Sequence, residues 1–108
     1  MAKPGLTPVE YLRQYNLEAA DAFQGLRKAA IAGPLDYHTC ELIVLGALAT
    51  SGDEASFKVH ARRLLADGVA PEALRQAVVV TLAASTTFSQ VVAGLRWVDD
   101  LVEASADG

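Results

Sequence analysis

From Leu42 to Ala49 the chain reads LIVLGALA, with no polar side chain in the run. Read as a helix, this stretch is apolar nearly all round, and a helix without a polar face has to be enclosed by other elements. It is therefore expected to be the central helix of the fold. Asp36 is placed to cap it, and Thr50-Ser51-Gly52 breaks it.

Helical spacing continues almost throughout, and no stretch alternates polar and apolar residues for long enough to nominate a strand. Thr7 can cap a first helix that has Pro8 at its first position and runs to about Tyr15. A second is expected from Leu17 to Ala32, stopped by Gly33-Pro34, with Gly25 inside it as either a weak point or a place of close packing. Asp53 starts a fourth, which ends at Gly68 in LLADG, where glycine suits the left-handed position after a helix end. Pro71-Glu72 opens a fifth. Its Val78-Val79-Val80 run is β-branched, yet Leu74, Ala77, Thr81 and Ala84 continue a helical stripe around it, so burial is expected to override strand propensity. Ser85-Thr86-Thr87 breaks the chain again and caps a last helix, Phe88 to about Ala104, with Val91, Leu95, Val98 and Val102 on one face. The expectation is an all-α chain of about six helices, one domain over residues 1–104 and a disordered tail over 105–108.

Composition narrows the classes of function. Residues of the apolar class make up 52% of the 108 and charged residues 20%, which is apolar for so small a domain, so part of the aliphatic surface is expected to meet other subunits of a homo-oligomer. The net charge is -4 and the basic residues are scattered, Arg62-Arg63 being the one adjacent arginine pair, which argues against nucleic acid as a partner. The uncharged run Leu42–Gly52 is about half of the ~20 residues a membrane span requires, and no apolar segment follows Lys3. No membrane association and a cytoplasmic location are expected. The single cysteine, Cys40, leaves no internal disulfide framework.

Chemistry concentrates in two residues. His60 stands on an otherwise aliphatic and basic helix, and Glu41 stands on the helix before it, so a hairpin can bring a carboxylate and an imidazole together, the minimum equipment for proton transfer near neutral pH. Asp53, Ser56 and His60 share a helix face, which lets Ser56 bond the imidazole, and Arg62 or Arg63 is available to a substrate carboxylate. Each has a plainer alternative. Glu41 can be a buried acid bonded to backbone, Tyr37 or His38, Asp53 a simple cap, and the arginines a solvated or intersubunit face. Cys40, in the first turn of its helix, is either a small buried hydrophobe or a thiol activated by the helix dipole. His38 offers a weak two-histidine, one-carboxylate metal set with Glu41 and His60. Trp97 and Phe88 read as core or interface anchors, or as walls of an apolar pocket.

The order of residues in LDYHTCELIVLGALATSGDEASFKVHARRLLADGVAPEALRQAVVV resembles the carboxymuconolactone decarboxylase and alkylhydroperoxidase D family over about Leu35 to Ala84. The resemblance implies that family's helical fold and a trimer or hexamer. In its peroxidase branch a glutamate stands twelve residues before a Cys-x-x-Cys pair and a histidine follows the second cysteine by four; counted back from His60, those positions hold Ser56, Asp53 and Glu41. Glutamate and histidine are kept and both thiols are gone, so the peroxidase activity does not transfer. The decarboxylase branch, which converts a carboxylated muconolactone to an enol-lactone without a cofactor, also lacks the cysteine pair and carries an arginine two residues after its histidine, as Arg62 follows His60 here. The implied reading is a lyase-like member with Glu41 and His60 as acid/base pair, Ser56 and Arg62 as substrate contacts, and no metal or cofactor. A non-catalytic, oligomeric binding or structural member is the alternative.

Overall fold

The computed structural model describes residues 6–84 and 86–107, all helix, turn and loop, with no strand among them. They divide into two compact units, the first ending at Tyr37 and the second beginning at His38.

The first unit is a helical hairpin of α1 (Pro8–Tyr15) and α2 (Leu17–Ala30). Thr7 caps α1 by accepting the Glu10 N–H at 3.2 Å, and Asn16 serves both helices: its N–H closes α1 on Leu12 and its side chain accepts the Ala19 N–H at 2.9 Å to start α2. One residue thus makes the corner. Arg13 ties the two helices by donating to Asp21 at 2.6 Å and Gln24 at 2.5 Å. The second helix stops at Ala30, short of the expected Ala32, because the Ala32 N–H turns back to Ala29 in a tightened last turn ahead of Gly33-Pro34. Gly25 is exposed with no atom near its missing side chain, so the close-packing alternative does not hold there.

The second unit holds α4 (Glu54–Ala66), α5 (Pro71–Val79) with a short 3-10 continuation (Val80–Ala83), and α6 (Phe88–Asp107), around the body of α3 (Tyr37–Ser51). Both sharp helix ends are glycine stops of one design. Gly52 (φ +76°) and Gly68 (φ +89°) take the left-handed conformation, and the N–H groups of Asp53 and Val69 reach back to the Leu48 and Leu64 carbonyls, closing the last turns of α3 and α4. Val78 and Val79 are helical as expected, and the chain tightens to 3-10 geometry only at Val80. Ser85, part of the expected break, lies outside the described residues. The last helix continues past Ala104 to Asp107, and Gly108 lies outside the described residues.

The core of this unit is assembled from the stripe Leu45 and Ala49 of α3, Phe57, Ala61 and Leu64 of α4, Leu74 and Val78 of α5, and Val91, Val98 and Leu101 of α6. Phe57 meets Trp97 of α6 edge-on, with ring centroids 5.2 Å apart. Between α4 and α6, Lys58 bonds Glu54 at 2.9 Å and Asp100 at 3.3 Å, and these two acids, Glu54 above all, hold its ammonium pKa above the ordinary lysine range. Two glycines set how closely the helices approach. A side-chain carbon on Gly46 would lie 2.9 Å from the Ala77 carbonyl oxygen, and one on Gly94 3.0 Å from a Val78 methyl. Gly46→Ala is therefore expected to cost about 1–2 kcal/mol net, overpacking outweighing the better helix propensity of alanine, whereas Gly25→Ala should gain roughly 0.5–1 kcal/mol. Urea midpoints of the two variants check this, and a stabilised Gly46→Ala would show that α3 and α5 are not held at this distance.

Candidate functional site

Glu41 sits on the buried stripe of α3, on the same side as Leu45 and Ala49, and its side chain is 0% exposed. A carboxylate removed from water is costly unless its oxygens are hydrogen-bonded, and among the described residues no buried side-chain nitrogen or oxygen lacks a partner. On α4, His60 lies between Phe57 and Leu64 in sequence, next to Ala61, and inherits the partial burial of that face with a side-chain exposure of 13%. The two meet across the helices: His60 Nδ1 is 2.6 Å from Glu41 Oε2. An ionised carboxylate only accepts, so Nδ1–H donates and the imidazole tautomer is set by the bond.

The second oxygen of Glu41 faces Arg63, whose guanidinium NH1 donates at 3.5 Å and is 39% exposed. This arginine, one helical turn after His60, shares its face, whereas Arg62 lies two positions on and is exposed. The i+3 spacing from His60 was the available signal for preferring Arg63. Ser56 is half-buried, and its backbone N–H donates to the Asp53 carboxylate at 3.1 Å in the cap of α4. Asp53 is thereby the N-cap of the plainer reading.

Other expectations resolve against the same two helices. His38 Nε2 is 3.1 Å from the Asp67 carboxylate at the end of α4, and among the described residues no three His, Cys, Asp or Glu side chains converge as a metal set. Cys40 is half-buried and forms no disulfide. Trp97 is half-buried against the core, while Phe88 is 74% exposed and is no core anchor. A cavity of about 480 Å³ lies along a different face of α3, lined by Ile43, Gly46, Ala47, Ala77, Val80 and neighbours, and neither Glu41, His60 nor an arginine lines it. No helix among the described residues is long and apolar enough to cross a membrane.

A buried glutamate on one helix bonded to a histidine of the next brings together the two residues that the sequence resemblance paired. The model of the carboxymuconolactone decarboxylase family matches residues 18–100, most of the chain. The chain belongs to the carboxymuconolactone decarboxylase family. The match reaches further than the recognisable stretch Leu35–Ala84, taking in nearly all of α2 and the greater part of α6. No curated protein and no solved structure matches the chain.

Proposed function

We propose that this family member carries out cofactor-independent acid/base chemistry, the decarboxylation of a small carboxylated lactone or a related compound, as a homo-oligomer. His60 is the proton-transferring group and Glu41 the residue that holds it. The observation that carries this reading is the 2.6 Å bond from His60 to a wholly buried carboxylate. With Nδ1 engaged by Glu41, proton exchange with a substrate runs through Nε2, and the carboxylate stabilises the imidazolium whenever the ring gains a proton. Departure of carbon dioxide leaves the bonding electron pair on the conjugated lactone as an enolate-like anion. A proton from Nε2 then takes the place of the lost carboxyl group on carbon, and water returns a proton to the ring. The substrate carboxylate is met by an arginine of α4, and the partly exposed Arg63 beside Glu41 fits this task better than the outward Arg62. Ser56 is half-buried one turn before His60, within the same region of α4.

Incubation with a carboxylated muconolactone, followed by carbon dioxide release, tests the assignment. Turnover by the parent protein is the expected result, and no release from that compound or its close carboxylated relatives would sink the decarboxylase reading. The second reading, a binding or structural member without catalysis, is favoured by one observation: the cavity along α3 excludes the Glu41–His60 pair and presents no charge.

Thiol peroxidase chemistry needs two sulfurs within bonding reach, and the chain has one cysteine. The protein is expected not to reduce hydroperoxides at the expense of a dithiol, and Cys40→Ser should leave any turnover intact. Peroxide consumption that vanishes in Cys40→Ser would move the reactive centre to that residue.

A further inference from the structure

The central helix is apolar on both sides, yet only one side is spent on the core. Leu45 and Ala49 point inward, whereas Ile43, Ala47 and Thr50 of α3 face Ala73, Ala77 and Val80 of α5 and its 3-10 continuation across the hollow of about 480 Å³. We propose that this hollow is a binding site, separate from Glu41 and His60, for a small uncharged molecule that is mainly apolar and carries a hydroxyl group.

Size and charge set the class of guest. Small-molecule sites occupy roughly 300–1,000 Å³ and are mostly apolar with a few placed polar groups, and this hollow has that character. Its rim is aliphatic, with Ile43 58% and Val80 61% exposed, and among the described residues no Asp, Glu, Lys, Arg or His lines it. An ionic guest would give up water without gaining a counter-charge, whereas a neutral apolar one gains by leaving water.

The threonines then decide the hydrogen-bonding sense. Thr50 Oγ1 lies 3.1 Å from the Gly46 carbonyl and 2.7 Å from Thr86 Oγ1. A carbonyl only accepts, so the one Thr50 proton goes to Gly46 and the shorter contact is donated by Thr86. Thr81 spends its proton in the same way, on the Val78 carbonyl at 2.6 Å. All three residues line the hollow, and all three protons are engaged. What Thr86 keeps is the capacity to accept. An ether, ketone, lactone or carboxylate has no hydrogen to give it, and an amine brings the charge that the lining cannot balance; a hydroxyl meets both conditions. The acceptor is also held in place before any guest arrives, since Gln90 of α6 donates from Nε2 to the Thr50 carbonyl at 2.6 Å and accepts the Thr87 N–H at 3.0 Å. Such preorganisation lowers the ordering cost of binding. The assignment goes beyond the decarboxylase reading and stands without it, because a carboxylated lactone is anionic and unsuited to this lining.

Isothermal titration calorimetry of the parent near neutral pH tests it with probes of one ring system: naphthol, its methyl ether methoxynaphthalene, and naphthoate. Naphthol is expected to saturate one site per chain, methoxynaphthalene to bind about two- to ten-fold more weakly, the worth of one hydrogen bond, and naphthoate at least about ten-fold more weakly. Thr86→Val keeps the shape and drops the acceptor, so it should weaken naphthol to the level of the ether and leave the ether unchanged. Ala47→Phe, at an exposed position of α3, should fill the hollow and abolish binding of both while circular dichroism shows the parent's helicity. Turnover of a carboxylated muconolactone should be the same in Ala47→Phe as in the parent, and its absence from both would sink the decarboxylase reading without touching this site. Several results overturn the site: no saturable naphthol binding by the parent, as when another chain covers the hollow; an ether or naphthoate that binds as well as naphthol; naphthol affinity unchanged in folded Thr86→Val or folded Ala47→Phe. Inhibition of turnover by naphthol would overturn its separateness from Glu41 and His60.

Discussion

His60→Gln is expected to lower turnover of a carboxylated lactone by about 10²–10⁴-fold while leaving the helical fold intact, the range that a positioned general acid or base contributes. The glutamine side chain keeps a hydrogen-bonding group near Glu41 Oε2, now 2.6 Å from His60 Nδ1, but cannot carry the proton. Glu41→Gln should cause a loss of similar size, because the imidazole then loses the carboxylate that sets its tautomer and balances its charge. The double variant is the more telling measurement. Two residues that act as one unit are not additive, so it should be little worse than either single change. A purely structural pair gives another pattern: both substitutions lower the melting temperature, and neither alters turnover or ligand binding. Full activity in a well-folded His60→Gln protein would remove the catalytic assignment.

Much of this architecture is written locally. Caps and stops depend on a residue and its neighbours within a turn, and that is why Thr7, Asp53, Gly52 and Gly68 are found doing what their types and positions imply. Where a boundary moved, the cause was a backbone choice that composition leaves open: the end of α2 is decided by the bond from Ala32 to Ala29, and the end of α5 by a change to 3-10 pairing at Val80. The β-branched run at Val78 shows the reverse case. Its helix is set by burial against Leu74, Val98 and the rest of the core, which the stripe of apolar positions does signal.

The site was legible to the extent that spacing along one helix decides it. Glu41 and His60 lie on different helices, so their meeting depended on the hairpin, and the sequence supported it only through the family's order of residues. That Arg63 reaches Glu41 follows from helix geometry, since i+3 shares the face of His60 and i+2 turns away. The two functions of α3, core on one side and an uncharged hollow on the other, could not be separated in a run whose residues are apolar in every direction.

Phe57→Ala should be the most damaging single truncation in the second unit. Phe57 is the largest fully buried side chain there, 0% exposed, and its ring packs edge-on to Trp97 at 5.2 Å, so the change removes apolar contact and leaves a cavity between α4 and α6. Truncations of this kind cost about 3–5 kcal/mol. That is about a fifth or more of the roughly 5–15 kcal/mol by which a domain of this size is stable, enough to lower the melting temperature by more than about 10 °C. Phe57→Leu keeps most of the volume and should cost distinctly less, which separates the cavity from any local effect on helix propensity. Because an oligomer's melting point depends on protomer concentration, the variants are compared at one fixed concentration. The site should respond as well. Phe57 stands one turn before His60 on α4, so a loosened α4 lets the imidazole drift from the buried Glu41 oxygen, and the His60 Nδ1 proton, protected in the parent by a 2.6 Å bond, should exchange faster with water in Phe57→Ala at temperatures well below its melting point. A variant that melts within 1–2 °C of the parent would show that this ring is not the keystone of the core, a far smaller shift than a cavity of that volume produces.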